Sequence, residues 1–132
     1  MINIPAKNMG KKCPCGGGKY ANCCGPFHTG TKLPRTAEQL MRSRYSAFAR
    51  NLVEYIAATW HPSTRPEQLE LSDNPVWLQL QIIASGSQGN RGYVHFIAYF
   101  AAEDGIAEME EESEFIREQG RWWYLNAISV EH

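Results

Sequence analysis

The sequence predicts an α+β protein in which helices precede an antiparallel sheet and a small cysteine-rich knuckle precedes both. All four cysteines of the 132-residue chain lie between positions 13 and 24. Apolar residues then recur at three- and four-residue steps from Met41 to Trp60, as on one face of a helix. Four segments rich in β-branched and aromatic residues follow, separated by short turns. Helices followed by a run of strands are typical of an α+β fold.

The cysteine spacing Cys13-x-Cys15-x7-Cys23-Cys24 favours a zinc site. A disulfide between Cys23 and Cys24 closes a strained ring, and the Cys-x-x-Cys pattern of redox pairs is missing. Zinc accepts four thiolates tetrahedrally, and the glycines at 16–18 let the chain turn back on itself. Four protein ligands leave no open position, so we expect one structural Zn²⁺. An iron–sulfur cluster, disulfides and free thiols remain as alternatives.

The stretch CPCGGGKYANCCGP resembles the SEC-C motif, a small zinc-binding module. That motif begins Cys-Pro-Cys-Gly-Ser-Gly-Lys and ends in Cys-Cys or Cys-His after an aromatic residue. The chain departs from it in length, because seven residues separate the two cysteine pairs, one fewer than usual. The resemblance implies a zinc-binding module and linker over residues 1–31.

The next segment, from Gly25 to Thr36, is rich in glycine, proline and threonine and predicts a linker. Thr36 begins TAEQ, a capping box that predicts the start of a helix. A second cap-like sequence, NLVE from Asn51, predicts two helices with a kink near that residue. The sequence HPSTRP, from His61, ends the helical region.

Strand composition recurs in the second half of the chain, with turn residues between the segments. The four predicted strands are residues 76–84, 92–100, 106–116 and 121–130. In the first strand, alternation predicts one apolar face made of Val76, Leu78, Leu80, Ile82 and Ala84. SGSQGN, AEDG and EQG are the predicted turns.

Four further stretches, LMRSRYSAF, TWHPS, EESEF and RWWYLNA, extend the resemblance to nearly the whole chain. Together with the cysteine motif they are similar to the YchJ family of bacterial proteins. The resemblance implies an NTF2-like (cystatin-like) domain over residues 32–132, with a curved antiparallel sheet packed on the N-terminal helices and a pocket inside. The chain departs from the family at Asn126-Ala127, where Asp-Gly is common.

Four residues are candidates for lining that pocket: Arg44, Tyr45, His61 and Glu111. Alternation on the third strand places Glu111 on the same face as Met109, Ser113 and Phe115. A carboxylate there needs a partner, and Arg42 or Arg44 could form a fork with it. The sequence leaves open whether such a pair is structural or binds a ligand. His61 fits a helix cap as well as a pocket wall. No catalytic residue is assigned.

Charge divides the chain unevenly. Residues 1–66 carry ten Lys and Arg against Glu38 and Glu54, whereas residues 67–132 carry twelve acids against three arginines. The basic half could face an acidic partner, or the two halves could neutralise each other by packing. We favour packing as the account of the split itself.

Composition predicts a cytoplasmic protein. About a fifth of the residues are charged, no apolar run approaches the length of a membrane helix, and MINIPAKNMGKK lacks the apolar core of a secretory signal. Clustered cysteines in that compartment are more often metal ligands than disulfides.

Two functions are consistent with these features. The first is a non-enzymatic adaptor that docks a protein partner through the basic rim of the zinc knuckle. That rim consists of Lys7, Lys11, Lys12 and Lys19. The alternative is a small-molecule binder or enzyme that uses the pocket. Nucleic-acid binding ranks third, because the acidic sheet would repel phosphates.

Overall fold

The computed structural model describes residues 11–128, so Lys7 lies outside the described residues. A 3₁₀ turn at Tyr20–Asn22 precedes three helices, α1 (Gly25–His28), α2 (Ala37–Ala49) and α3 (Val53–Ala58). Four strands follow: β1 (Trp77–Gln88), β2 (Arg91–Ala102), β3 (Gly105–Glu118) and β4 (Arg121–Ile128). They form one antiparallel sheet in the order β1-β2-β3-β4. The predicted α+β class is confirmed.

Helix α2 begins where the capping box predicts. The Thr36 side chain accepts a hydrogen bond from the backbone N–H of Gln39 at 3.0 Å. The predicted kink is a complete break, at which Asn51 adopts a left-handed backbone with φ of 59°. The cap prediction for the second helix is wrong, since Leu52 occupies the N-cap position and forms no side-chain cap.

Part of the predicted linker is helical, because α1 occupies residues 25–28. Proline in the first turn suits a helix start, where its missing N–H costs nothing. A Cβ on Gly25 would lie 2.7 Å from the carbonyl oxygen of Tyr20, so the close approach at this point requires glycine. His28 is buried against the rest of the chain, with its Nε2 2.8 Å from the carbonyl oxygen of Ser43.

Strand β1 departs from simple alternation. Its pairing with β2 shifts register between Trp77 and Gln79 and again between Ile82 and Ala84. Trp77 therefore packs inward against Tyr45 and Phe100, while Leu78 is exposed. The predicted single apolar face of this strand is wrong for that reason. The strand also runs to Gln88, so the predicted SGSQGN turn is confined to Gly89 and Asn90.

The segment after α3 runs beside the outer edge of β4. The N–H of His61 donates to the carbonyl oxygen of Tyr124, and the N–H of Tyr124 donates to that of Thr59, both at 2.8 Å. Trp60 and Tyr124 form the resulting parallel bridge. This edge of the sheet is thereby covered along part of its length.

The knuckle and the sheet share one hydrophobic core. Cys13, Cys15, Tyr20 and Cys24 belong to the same buried cluster as residues of α2 and of the sheet. These partners are Ala37, Leu40, Met41, Tyr45, Leu80, Val94, Phe96, Ala98, Phe115 and Trp122. A second, smaller cluster contains Ala47, Tyr55 and Ile56. Within residues 11–128, no helix has the length and hydropathy needed to cross a bilayer.

Candidate metal centre and interior cavity

The glycine-rich loop folds the two cysteine pairs onto each other. The N–H of Cys13 donates to the carbonyl oxygen of Gly18, and the N–H of Gly16 donates to that of Cys13. Gly16 and Gly18 take φ values of 86° and 123°, which side chains disfavour. The N–H of Tyr20 then donates to the carbonyl oxygen of Lys11, which closes the loop below the first pair.

The four thiol groups converge at one point. Every Sγ atom lies within 4.8 Å of the other three, and the Cys15 and Cys23 sulfurs are 3.4 Å apart. Sulfurs bound tetrahedrally at 2.3 Å from a metal lie about 3.8 Å apart, so this spacing matches a metal site. A Cβ on Gly17 would lie 2.7 Å from the Cys23 Sγ, so this position too favours glycine. The cluster can hold a metal ion with a closed set of four sulfur ligands.

Crowding of the thiols perturbs their ionisation. Hydrogen bonds from Cys15 and Cys24 lower the pKa of Cys13 below its usual range. The same contact with Cys13 raises the pKa of Cys24, while burial raises the pKa of Cys23 to about 12. A bound cation must therefore displace protons from Cys23 and Cys24. Metal affinity should therefore fall as the pH is lowered.

Two residues of helix α2 contact the cysteine cluster. The Ser46 hydroxyl lies 3.3 Å from the Sγ atoms of both Cys13 and Cys24. Arg42 donates from Nη1 to the carbonyl oxygen of Cys15 at 3.1 Å. These contacts orient the ligands and tie the knuckle to the helix. The sequence did not indicate either residue as a support for the knuckle, and Arg42 was one of two arginines considered as a partner of Glu111.

His28, the histidine that follows the cluster, takes no part in it. Its Nδ1 lies 2.5 Å from the Tyr20 hydroxyl, and its Nε2 faces the carbonyl oxygen of Ser43. Burial lowers the pKa of His28, which favours the neutral ring.

An interior cavity of about 220 Å³ lies between α2 and the sheet. The structure brings three of the four predicted pocket residues, Arg44, Tyr45 and Glu111, into its wall. The remaining lining residues are Met41, Phe48, Trp60, Trp77, Phe96, Ala98, Met109, Ser113 and Tyr124. Sequence reasoning missed the tryptophans as wall residues, since their spacing indicates only burial.

His61 does not line this cavity, which corrects its assignment as a pocket residue. Its Nε2 lies 2.9 Å from an oxygen of Glu118, and its Nδ1 lies 2.7 Å from the Ser63 hydroxyl. The ring packs against Trp123. Helix α3 ends at Ala58 with Thr59 as its C-cap, so the imidazole does not cap that helix either.

The predicted ion pair between Glu111 and an arginine is not formed among the described residues. Arg42 pairs instead with Glu38 at 3.0 Å. Arg44 is 3% exposed, and its Nη1 donates to the carbonyl oxygen of Ile56 and the hydroxyl of Thr59. Glu111 accepts a hydrogen bond from the Ser113 hydroxyl at 2.6 Å.

Aromatic rings surround the Arg44 guanidinium. Its Cζ lies 4.3 Å from the ring centroid of Tyr124 and 5.2 Å from that of Trp60. Burial lowers the pKa of Arg44 to about 10, so the group stays charged at neutral pH. Two further polar atoms of wall residues, the Tyr45 hydroxyl and the Trp60 Nε1, are buried without a hydrogen-bond partner among the described residues.

A second feature is an open groove of about 1010 Å³ between the knuckle and the turn that joins β3 to β4. Its basic lining residues are Lys32, Arg35, Arg42 and Arg117, and no described acidic residue lines it. Its apolar lining residues are Phe27, Leu33, Pro34 and Trp122. Cys23 and Cys24 form part of one wall, so the groove and the cysteine cluster are adjacent. Sequence reasoning missed Arg117, because only the fold brings β3 to the knuckle.

The domain matches a known family. A family model described as YchJ, middle NTF2-like domain, matches residues 36–127. The chain belongs to the YchJ family. The NTF2-like part of the predicted fold class is thereby confirmed. This YchJ-family chain is 44% identical over 123 residues to a UPF0225 protein of Chromobacterium violaceum, covering 88% of the chain and 91% of that relative. A UPF0225 protein of Xanthomonas campestris is 46% identical over 122 residues, covering 87% and 92%.

Two solved structures resemble this YchJ-family chain along most of its length. The solution structure of a SEC-C motif containing protein from Rhodopseudomonas palustris has a TM-score of 0.82 and 34% identity, covering 92% of the chain and 100% of that protein. The crystal structure of a SEC-C motif containing protein from Psychrobacter arcticus has a TM-score of 0.79 and 28% identity, covering 95% and 88%. The resemblance to SEC-C proteins inferred from the cysteine stretch is confirmed.

Proposed function

We propose that the protein is a cytoplasmic, zinc-stabilised docking protein without catalytic activity. One structural Zn²⁺ is held by Cys13, Cys15, Cys23 and Cys24. The convergence of four sulfurs within 4.8 Å supports this, because an all-sulfur tetrahedral set suits zinc. A set of four protein ligands leaves zinc no position for substrate, which argues for a structural role. A reducing cytoplasm keeps the thiols available as ligands.

The groove beside the knuckle is the proposed docking surface. Arg42 is already paired with Glu38, whereas Lys32, Arg35 and Arg117 form no ion pair with a described residue. Their charges favour an acidic partner, which would also bring the electrostatic steering that speeds association. The exposed lysines at 11, 12 and 19 extend the positive surface around the knuckle.

Apolar side chains between the charges narrow the class of partner. Leu33 is 54% exposed, and Phe27 and Trp122 lie in the same lining. An exposed apolar side chain flanked by cations suits a segment that carries an apolar anchor between acidic residues. We therefore infer that the partner presents an extended acidic segment with one leucine or phenylalanine. Nucleic acid fits less well, because the glutamates of β3 would repel its phosphates.

Fluorescence anisotropy with defined peptides tests the docking proposal. The probe is a labelled peptide of alternating Glu and Gly with a central Phe, and the comparison peptides replace Phe with Gly or Glu with Lys. We expect binding to the first peptide that weakens at least ten-fold in the Arg35→Ala/Arg117→Ala variant. Arg91→Ala, which removes an exposed arginine on β2 paired with Glu114, is the matched control and should leave binding unchanged.

Salt and metal provide the second half of this test. Binding should weaken as salt rises, since it depends on charge. It should also weaken on zinc removal, because Cys23 and Cys24 form part of the groove wall. Equal binding of the basic peptide, or identical affinity in the double variant and in Arg91→Ala, would refute the docking surface.

A further inference from the structure

Two side chains of opposite charge line the interior cavity without forming an ion pair with each other. Arg44 and Glu111 both line it, yet the ion pairs among the described residues join other groups. Charges in an apolar wall cost free energy unless they are paired or hydrogen-bonded. Hydrogen bonds compensate for this only in part: Arg44 donates to Ile56 and Thr59, and Glu111 accepts from Ser113. The cavity therefore has a positive and a negative side.

The positive side retains unused donors. Both hydrogen bonds of the Arg44 guanidinium to the end of α3 leave from Nη1. The Nε and Nη2 atoms of Arg44 form no hydrogen bond with a described residue, and neither atom is completely buried. Because guanidinium binds carboxylate through paired N–H groups, this side suits a carboxylate.

The negative side is formed by β3. Glu111 is half-buried there, and the Ser113 hydroxyl donates to its Oε2. Strand pairing places Glu111 opposite Phe96 of β2, another wall residue. A carboxylate beside aromatic rings favours an ammonium group, which gains both a charge partner and cation–π contact.

The space between the two sides is apolar and small. Met41, Ala98 and Met109 line it with the aromatic residues. Its volume of about 220 Å³ is below the roughly 300 to 1,000 Å³ of pockets for drug-sized ligands. The ligand must therefore be small, with two opposite charges for the two sides and an apolar part for the remaining wall.

We propose that this cavity is a binding site for a small zwitterion, of the class of apolar α-amino acids. In this arrangement the ligand carboxylate faces Arg44, its ammonium group faces Glu111, and its side chain packs among the aromatic rings and methionines. The site is separate from the docking groove, because no residue that lines the cavity also lines that groove. The proposal thus stands independently of the docking function.

Isothermal titration calorimetry on the 132-residue zinc-bound protein tests this inference with matched ligands. Leucine is compared with 4-methylpentanoate, which lacks the ammonium group, and with isoamylamine, which lacks the carboxylate. Methionine and phenylalanine extend the panel. We expect an apolar amino acid to bind at least ten-fold more tightly than either single-charge analogue.

Two variants locate the ammonium partner. Glu111→Gln keeps the size of the side chain and should weaken amino-acid binding at least ten-fold, while leaving the weaker carboxylate analogue unchanged. Glu112→Gln, one residue along β3 and directed to the opposite face of the sheet, is the control and should bind as the wild type does. Circular dichroism and thermal unfolding verify that both variants are folded.

Three results would overturn the proposal. The first is no binding by any amino acid of the panel at millimolar concentration, which would mean that the cavity holds only water. The second is equal affinity for leucine and a single-charge analogue. The third is equal affinity of Glu111→Gln and wild type for the amino acids.

Discussion

Replacing Ser46 with alanine removes an α2 hydroxyl that touches two sulfurs of the cysteine cluster. Its Oγ lies 3.3 Å from Cys13 Sγ and from Cys24 Sγ, but a hydroxyl has one proton and donates to one sulfur at a time. A hydrogen bond to a charged acceptor contributes about 1.5–3 kcal/mol. Since 1.4 kcal/mol is a factor of ten, we expect Ser46→Ala to weaken zinc binding about 10- to 100-fold.

Competition with a chromophoric zinc chelator at fixed pH measures this change. Ser43→Ala is the matched control, because Ser43 is equally buried on α2 but bonds to Leu40 and Tyr55 instead of sulfur. Any loss in Ser43→Ala reports general destabilisation of the helix, and Ser46→Ala must exceed that loss about ten-fold. Equal losses in the two variants, or affinity within two-fold of wild type in Ser46→Ala, would refute the assigned role.

Three further changes have outcomes that follow from single distances or pKa values. Gly17→Ala places a Cβ 2.7 Å from the Cys23 sulfur, so zinc content per chain, measured by elemental analysis, should fall. Gly92→Ala places a Cβ 2.9 Å from that of Ala37 and should lower the free energy of unfolding in urea by about 1–3 kcal/mol. Burial raises the pKa of Tyr55 to about 12. The buried neutral Tyr55 therefore makes its full contribution to the free energy of unfolding below pH 10. About 2–3 kcal/mol of that free energy is lost between pH 10 and 12, and phenolate absorbance rises as the chain unfolds. Unchanged zinc content in Gly17→Ala would contradict the first expectation, and an unchanged urea midpoint in Gly92→Ala would contradict the second. Ionisation of Tyr55 itself near pH 10 in the folded protein would contradict the third.

Local patterns were enough to predict most of the secondary structure. The capping box at Thr36 and the alternation around Glu111 depend on neighbours within a few residues, and both correspond to the structure. The cysteine stretch is similarly local, because twelve residues contain all four thiols. Such features follow from backbone geometry and need no knowledge of the rest of the chain.

Contacts between distant segments could not be predicted in the same way. Alternation gives the face on which Glu111 lies but not its distance from Arg44. That arginine turns instead to the end of α3, where the carbonyl oxygen of Ile56 needs a donor because a helix end leaves carbonyls unpaired. The register shifts that expose Leu78 depend on pairing with β2, which the sequence of β1 alone does not specify.

The two edges of the sheet differ in how they resist pairing with another chain. Tyr124, on the β4 edge, is already engaged by the segment that follows α3, so its backbone groups are occupied. No strand of residues 11–128 pairs with the outer edge of β1, but its two register shifts divide this edge, and the longest uninterrupted stretch is residues 84–88. Interrupted edges are poor templates for strand addition and amyloid growth. We therefore expect copies of this protein in a crowded cell not to associate by pairing the edge strands of their sheets.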